Sequence, residues 1–341
     1  MRRAQILCAV ALLASACGSD ATTAAPEETP LVAISPSPAD TPPANPSAAV
    51  TATLNCRLPV TTITTPGESP AGWLTFPGGQ FARDPASGRL RSSGHLPSYD
   101  KAIGAWVPVE YEYVSPDGAS YVLYRDETTE VPNAFYLVDA RSGARRLIPS
   151  AQAPDTKWQF VLDYASEGVY LGAPGDGMAP PVPGLWLLDP KTGGIRLIDG
   201  SHVWVKVAVG AAWSIEPFAP GATSYKVYRL DLRSGQVATW YETKTAIRPL
   251  SPTPEGGLLI VYGEVGSIHL AVLTEPNVYL PLNVPSDLKL GNARLARPGV
   301  WLSLTDGIAL YTKTEGVRVM ASSAGYVPGG FGYYDAAGGC W

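Results

Sequence analysis

"YLVDARSGARRLI" runs from Tyr136 to Ile148. "WLLDPKTGGIRLI" at Trp186 to Ile198 and "YRLDLRSGQVATW" at Tyr228 to Trp240 repeat its residue types in the same order. Each is an apolar run, an Asp-x-x-Ser/Thr-Gly turn and a second run. Short polar side chains satisfy the backbone of such a turn locally, and glycine accepts the positive φ at its end. Turns of this kind begin at Asp84, Asp139, Asp189 and Asp231, spaced 55, 50 and 42 residues apart. Worn copies follow in "VLTEPNVYL" around Glu275 and "LYTKTEGVRV" through Gly316. A period of roughly 40–50 residues with several short strands per unit is the mark of a β-propeller.

Each unit also holds two earlier strands. "PVEYEYVSPDGASYVLYRDE", "WQFVLDYASEGVYLGAPG" and "VKVAVGAAWSIEP" each read as strand, glycine-containing turn, strand. That makes four antiparallel strands per repeat. Gly and Pro punctuate the chain throughout, and no run of ten residues carries a helical period. The expected fold is all-β: a six-bladed propeller closed by joined N- and C-terminal strands. Seven blades is the alternative, if the tail "AGYVPGGFGYYDAAGGCW" opens a blade that the segment near Cys56 completes. Most of the nine Trp residues are expected to pack blade on blade.

"YVSPDGASYVLYR" at Tyr113 to Arg125, followed by "FYLVDARSGARRLI", resembles the repeat of TolB-like, PD40-type (WD40-like) propellers. The resemblance covers residues 57–341 as architecture and implies little about activity. Proteins with such repeats include periplasmic binding partners, peptidase gating domains and lipoproteins.

The chain start reads as an export signal. Arg2 and Arg3 precede a short apolar run, Ile6 to Leu13, and "LLASAC" ends at Cys17. This resembles a bacterial lipobox, which implies removal of residues 1–16 and lipidation of Cys17; the alternative is an ordinary secretory signal cleaved near Ala16. The expected location is a membrane surface on the extracytoplasmic side, held by the lipid anchor. Residues 17–53 are rich in Pro, Ala and Thr and lack an apolar period, so a disordered tether is expected there. The propeller domain is expected over 54–341. Four cysteines are present; with Cys8 lost and Cys17 lipidated, Cys56 and Cys340 remain as a disulfide that joins the two ends. The net charge of −5 becomes −7 once Arg2 and Arg3 are lost, and no basic stripe appears. Nucleic acid is therefore excluded as an expected partner. A monomer is expected, with another envelope protein or a glycan as partner.

Catalytic signals are sparse. His95, His202 and His269 fall at unrelated places in the repeats and read as solvated or packed residues. No Gly-x-Ser-x-Gly elbow occurs, and "PGGFGYY" lacks the helix that a phosphate cradle needs. No cofactor, metal or catalytic residue is expected. One pattern stands out: the loops taken to join the second and third strands carry Asp126, Asp176, Glu216, Glu264 and Asp306. A ring of carboxylates on one face could collect a cation or a basic ligand. The expected function is a non-enzymatic binding or scaffold module of the cell envelope. The alternative is a metal-dependent hydrolase or lactonase-like enzyme using the central funnel. That enzyme needs converging ligands on the innermost strands, where the quoted segments offer only Glu110, Glu112 and Asp163.

Overall fold

The computed structural model describes residues 54–63, 71–87, 96–124, 134–148, 160–175, 180–217, 222–264, 267–284, 290–305, 307–322 and 333–341. All belong to the compact unit Ala52–Trp341. The signal, Cys17, the tether, His95, Asp126, Asp176 and Asp306 lie outside them.

Six antiparallel blades follow one another along the chain. Blade I contains β1 (Arg57–Ile63), β2 (Ala71–Thr75) and β3 (Gln80–Arg83). A two-stranded hairpin, β4 (Ser98–Asp100) and β5 (Ala105–Val107), comes next. Blade II contains β6 (Ser120–Tyr124), β7 (Phe135–Asp139) and β8 (Arg145–Ile148). Blade III contains β9 (Phe160–Ala165), β10 (Gly168–Ala173), β11 (Val182–Leu188) and β12 (Ile195–Asp199). Blade IV contains β13 (Trp204–Ala208), β14 (Ala211–Glu216), β15 (Tyr225–Asp231) and β16 (Val237–Thr243). Blade V contains β17 (Ile247–Pro252), β18 (Leu258–Glu264), β19 (Ser267–Glu275) and β20 (Val278–Leu282). Blade VI contains β21 (Leu290–Ala296), β22 (Gly299–Leu304), β23 (Gly307–Thr312) and β24 (Gly316–Ser322). The last strand, β25 (Tyr333–Ala336), returns to pair with β1, from Val60↔Ala336 to Ile63↔Tyr333. Chain ends thus share blade I, and the ring has six blades rather than seven.

Closure is secured beyond the strand. Arg57 and Trp341 exchange backbone hydrogen bonds at 2.9 and 3.0 Å, and Cys56 and Cys340 form the expected disulfide, with Cα atoms 5.7 Å apart. Joining the last strand to the first also removes an open sheet edge from each terminus.

Burial follows position in the blade. The second strands β10 and β22 are buried along their whole length, whereas the outermost β8 and β20 are mostly exposed. A middle strand is covered on both faces by neighbouring blades, which is why "GVYLGA" and "GVWLSL" read as continuous apolar runs and not as alternation. The core is therefore divided among the blade interfaces. One cluster joins blades II and III around Val169 and Leu188, another joins IV and V around Trp213 and Leu258, and a third joins VI and I around Trp301 and Leu58. Trp204, Trp213 and Trp301 are fully buried, in keeping with the expected packing role.

The turn motif works as its chemistry requires. Asp139 Oδ1 accepts the Ser142 amide and hydroxyl, both at 2.7 Å, and Asp231 Oδ1 does the same for Ser234 at 2.8 and 2.9 Å. Gly143, Gly193 and Gly235 close these turns at φ of 69, 78 and 72°.

Two details differ from the sequence reading. Because β25 is the innermost strand of blade I, the segment "FPGGQ" joins the third and fourth strands there, and Asp84 follows the fourth. The loop joining the second and third strands of blade I is residues 64–70, outside the described residues. Asp84 still closes its own turn, with Oδ1 accepting the Ala86 amide at 2.9 Å, while Oδ2 accepts both the Trp73 and Trp106 indole N–H groups at 3.0 Å and ties blade I to the β4–β5 hairpin. In blade II, "VEYEYV" forms a 3-10 turn at Tyr111–Tyr113 and a single bridge, Val114↔Tyr121, where an innermost strand was expected. The preceding hairpin, which pairs Ser98 with Val107, fills the space beside it.

Candidate functional site

The innermost strands of blades I and III to VI line the propeller axis, and the 3-10 turn at Tyr111–Tyr113 takes that place in blade II. Four of these strands carry a bulge, because one residue is left unpaired against the second strand. The register skips Leu162 in β9, Val205 in β13 and Leu250 in β17, and one residue between Leu290 and Ala293 in β21. A bulge re-aims the side chains beside it. Here the neighbours are Asp163, Lys206, Ser251 and Asn292, and all four border an axial channel of about 320 Å3. Arg294 stands two residues beyond Asn292 on the same strand and lines the channel as well, together with Glu110, Glu112 and Asp335.

These charges are not scattered around the ring. Blades I, II and III contribute Asp335, Glu110, Glu112 and Asp163. Blades IV, V and VI contribute Lys206, Ser251, Asn292 and Arg294. One half of the channel is therefore acidic, and the other carries both cations.

Arg294 organises the contact between the halves. Its side chain is only 5% exposed, with Nη2 at 3.6 Å from Glu112 Oε2 and 3.9 Å from Asp335 Oδ2. Asp335 is held in turn: Oδ1 accepts the Ser303 hydroxyl at 2.8 Å, and Oδ2 accepts the Asn292 amide at 3.3 Å. Burial opposes the Arg294 charge, but Glu112, then Asp335 and Glu110, outweigh it and raise its pKa. Burial likewise pushes the Glu112 carboxyl up, but Arg294 and then Lys206 more than reverse this and leave it below its usual range. Within this group of charges, Arg294 Nε and Glu112 Oε2 are buried and have no hydrogen bond.

Asp163 is different. Burial, then the negative charges of Glu112 and Glu167, push its carboxyl up to about 7, against a single favourable backbone hydrogen bond. The channel thus contains a carboxyl group whose ionisation its surroundings oppose, and an arginine with one donor unused.

At one mouth of the channel, Tyr111 also borders a wider groove of about 860 Å3 that includes Pro298, Arg297 and Trp341. Trp341 is held there by its backbone pairing with Arg57, and Lys101 Nζ lies 4.3 Å over its ring.

Of the five loop acids expected to form a ring, Glu216 is the one whose side chain is described. Glu216 ends β14, and its Oε1 accepts the Val203 amide at 3.2 Å, so it ties two strands of its own blade. Glu264 ends β18, with its side chain outside the description, as are Asp126, Asp176 and Asp306. His202 packs 4.3 Å from the Tyr228 ring, with Nδ1 at 3.4 Å from Asp199; His269 lies 5.4 Å from the Tyr262 ring. Among the described residues, no three His, Cys, Asp or Glu side chains form a metal-holding group. Of the inner-strand acids, Glu110, Glu112 and Asp163 do converge. Sequence reasoning missed their counterparts Lys206, Asn292, Arg294 and Asp335. Placing the units' first strands side by side, "FVLDYA", "WVKVA", "LGNARLA" and "YYDA", shows one or two charged or amide residues in each.

No family model matches the chain, and no curated protein matches it. Solved structures similar in fold include TolB from Acinetobacter baumannii, at 15% identity over 77% of this chain and 68% of that one, with a TM-score of 0.40. An oligogalacturonate lyase in complex with manganese is 12% identical over 78% and 73%, with a TM-score of 0.46. The β-propeller domain of the Trilobed protease from Pyrococcus furiosus is 12% identical over 79% and 84%, with a TM-score of 0.45. These likenesses concern the propeller fold alone.

Proposed function

We propose that this propeller is a non-enzymatic binding module, tethered to a membrane on the extracytoplasmic side through Cys17, and that its binding site is the axial channel. The observation that carries the reading is the buried Arg294, held by Glu112 and Asp335 with its Nε unused, inside a cavity to which all six blades contribute. Concave sites with a few convergent polar groups are where propellers and other rigid scaffolds place ligands. The tether and the lipid anchor rest on the lipobox-like "LLASAC" and on a disulfide suited to an oxidising compartment.

A thermal-shift screen with small cationic, anionic and zwitterionic solutes tests the channel. At least one solute raises the melting temperature of the wild-type protein and has no effect on the Glu112→Gln/Asp163→Asn variant. Equal shifts in both proteins, or none in either, would contradict the assignment.

A further inference from the structure

The channel's polarity narrows the ligand. This step rests on the channel being the binding site. A simple cation would meet the acidic half and be repelled by Lys206 and Arg294 on the other. A simple anion would satisfy Arg294 and Lys206 and add negative charge beside Asp163 and Glu112. A molecule with both charges a short distance apart meets each wall with its opposite.

We infer that the channel binds a small zwitterion of the α-amino-acid class, its carboxylate toward Lys206 and Arg294 and its ammonium toward Asp163 and Glu112. Three observations converge on this. The acids and the cations occupy opposite halves of the ring. Arg294 is 95% buried by its 5% side-chain exposure, lines the channel and keeps one N–H without a partner. The cavity, about 320 Å3, is at the small end of ligand sites, which suits a single amino acid and not a folded partner's loop. The charges that act on Asp163, Glu112 and Glu167, are both negative, so an arriving ammonium relieves a repulsion already present.

The wall charges also set a preference. Four carboxylates face two cations, so an amino acid with a basic side chain matches the channel better than a neutral one, and an acidic one matches it worst.

Calorimetric titration of the full chain at pH 8 tests this with L-lysine, L-alanine and L-glutamate. Butylamine and butyrate serve as probes with one charge each. Lysine is expected to bind most tightly and glutamate most weakly, with butylamine and butyrate at least about tenfold weaker than lysine. Asp163→Asn and Lys206→Met are each expected to weaken lysine binding by about tenfold. A melting temperature no lower than wild type for Asp163→Asn shows that this loss is local. Butylamine binding as well as lysine, variants that bind like wild type, or no binding by any amino acid would overturn the inference. A different class of solute that binds in a Glu112- and Asp163-dependent way would overturn it too, while leaving the channel as the binding site.

Discussion

Arg294 of blade VI and Glu112 of blade II approach to 3.6 Å, and Asp335 of blade I joins the same guanidinium at 3.9 Å. Three blades far apart in sequence thus depend on one buried charge at the axis. Removing a single member of a buried ion group leaves the others uncompensated.

Arg294→Met is therefore expected to destabilise the fold by about 3 kcal/mol, at the lower end of the usual range for buried pairs because Glu112 is partly open to the channel. Urea unfolding with an unchanged m-value is the check. A change under about 0.5 kcal/mol would mean that water in the channel already screens the group.

Asp163 gives a pH signature. The folded protein holds this proton up to about pH 7, whereas the unfolded chain releases it near 3.9. The folded state binds more protons between those values, so stability contributed at this site falls as pH rises through the window. Asp163→Asn abolishes that fall. At pH 8 the variant is expected to be more stable by about 1–2 kcal/mol, a figure reduced for channel water. A variant whose melting temperature tracks the wild type from pH 4 to 8 would refute this.

The disulfide and β25 close the ring jointly. Cys340→Ser is expected to lower stability by several kcal/mol, about 5 in the chain-entropy view of a long loop, because Cys56 and Cys340 are 284 residues apart. The effect should be local first: hydrogen exchange accelerates in β1, β2 and β25 and stays slow in β14 and β22. Uniform acceleration throughout the domain would contradict a latch at blade I.

The anchor is tested separately. Cells expressing the full chain and fed an alkyne-labelled fatty acid should label the protein, and Cys17→Ala should abolish the label and release the protein from the membrane. Equal labelling of both forms rules out Cys17 as the acceptor.

The architecture was legible in the sequence because each Asp-x-x-Ser/Thr-Gly turn is a local device. Asp139, Asp189 and Asp231 act on residues two or three positions away, so the motif survives without knowledge of the fold. Blade I misled the register for the opposite reason: its innermost strand comes from the far end of the chain, which no local pattern records. Asp84 closes its own turn through the Ala86 amide and also binds two indoles, one of them 22 residues away, which the motif does not announce. The channel was only half legible. Glu110, Glu112 and Asp163 were visible as acids on first strands. Their convergence with Arg294 and Asp335 depends on blade geometry and on bulges that break the two-residue period, so alternation could not assign the facing side. The loop acids were chosen by face alone, and a face does not show which side chains turn back to the backbone, as Glu216 does to the Val203 amide.

The most direct test of the account is the titration of the Asp163 carboxyl by 13C NMR, assigned by its loss in Asp163→Asn, with and without L-lysine. The account predicts a midpoint near 7 in the free protein, falling toward the ordinary carboxylate range once the ammonium is bound. A midpoint near 4 that does not move on addition of ligand would contradict it.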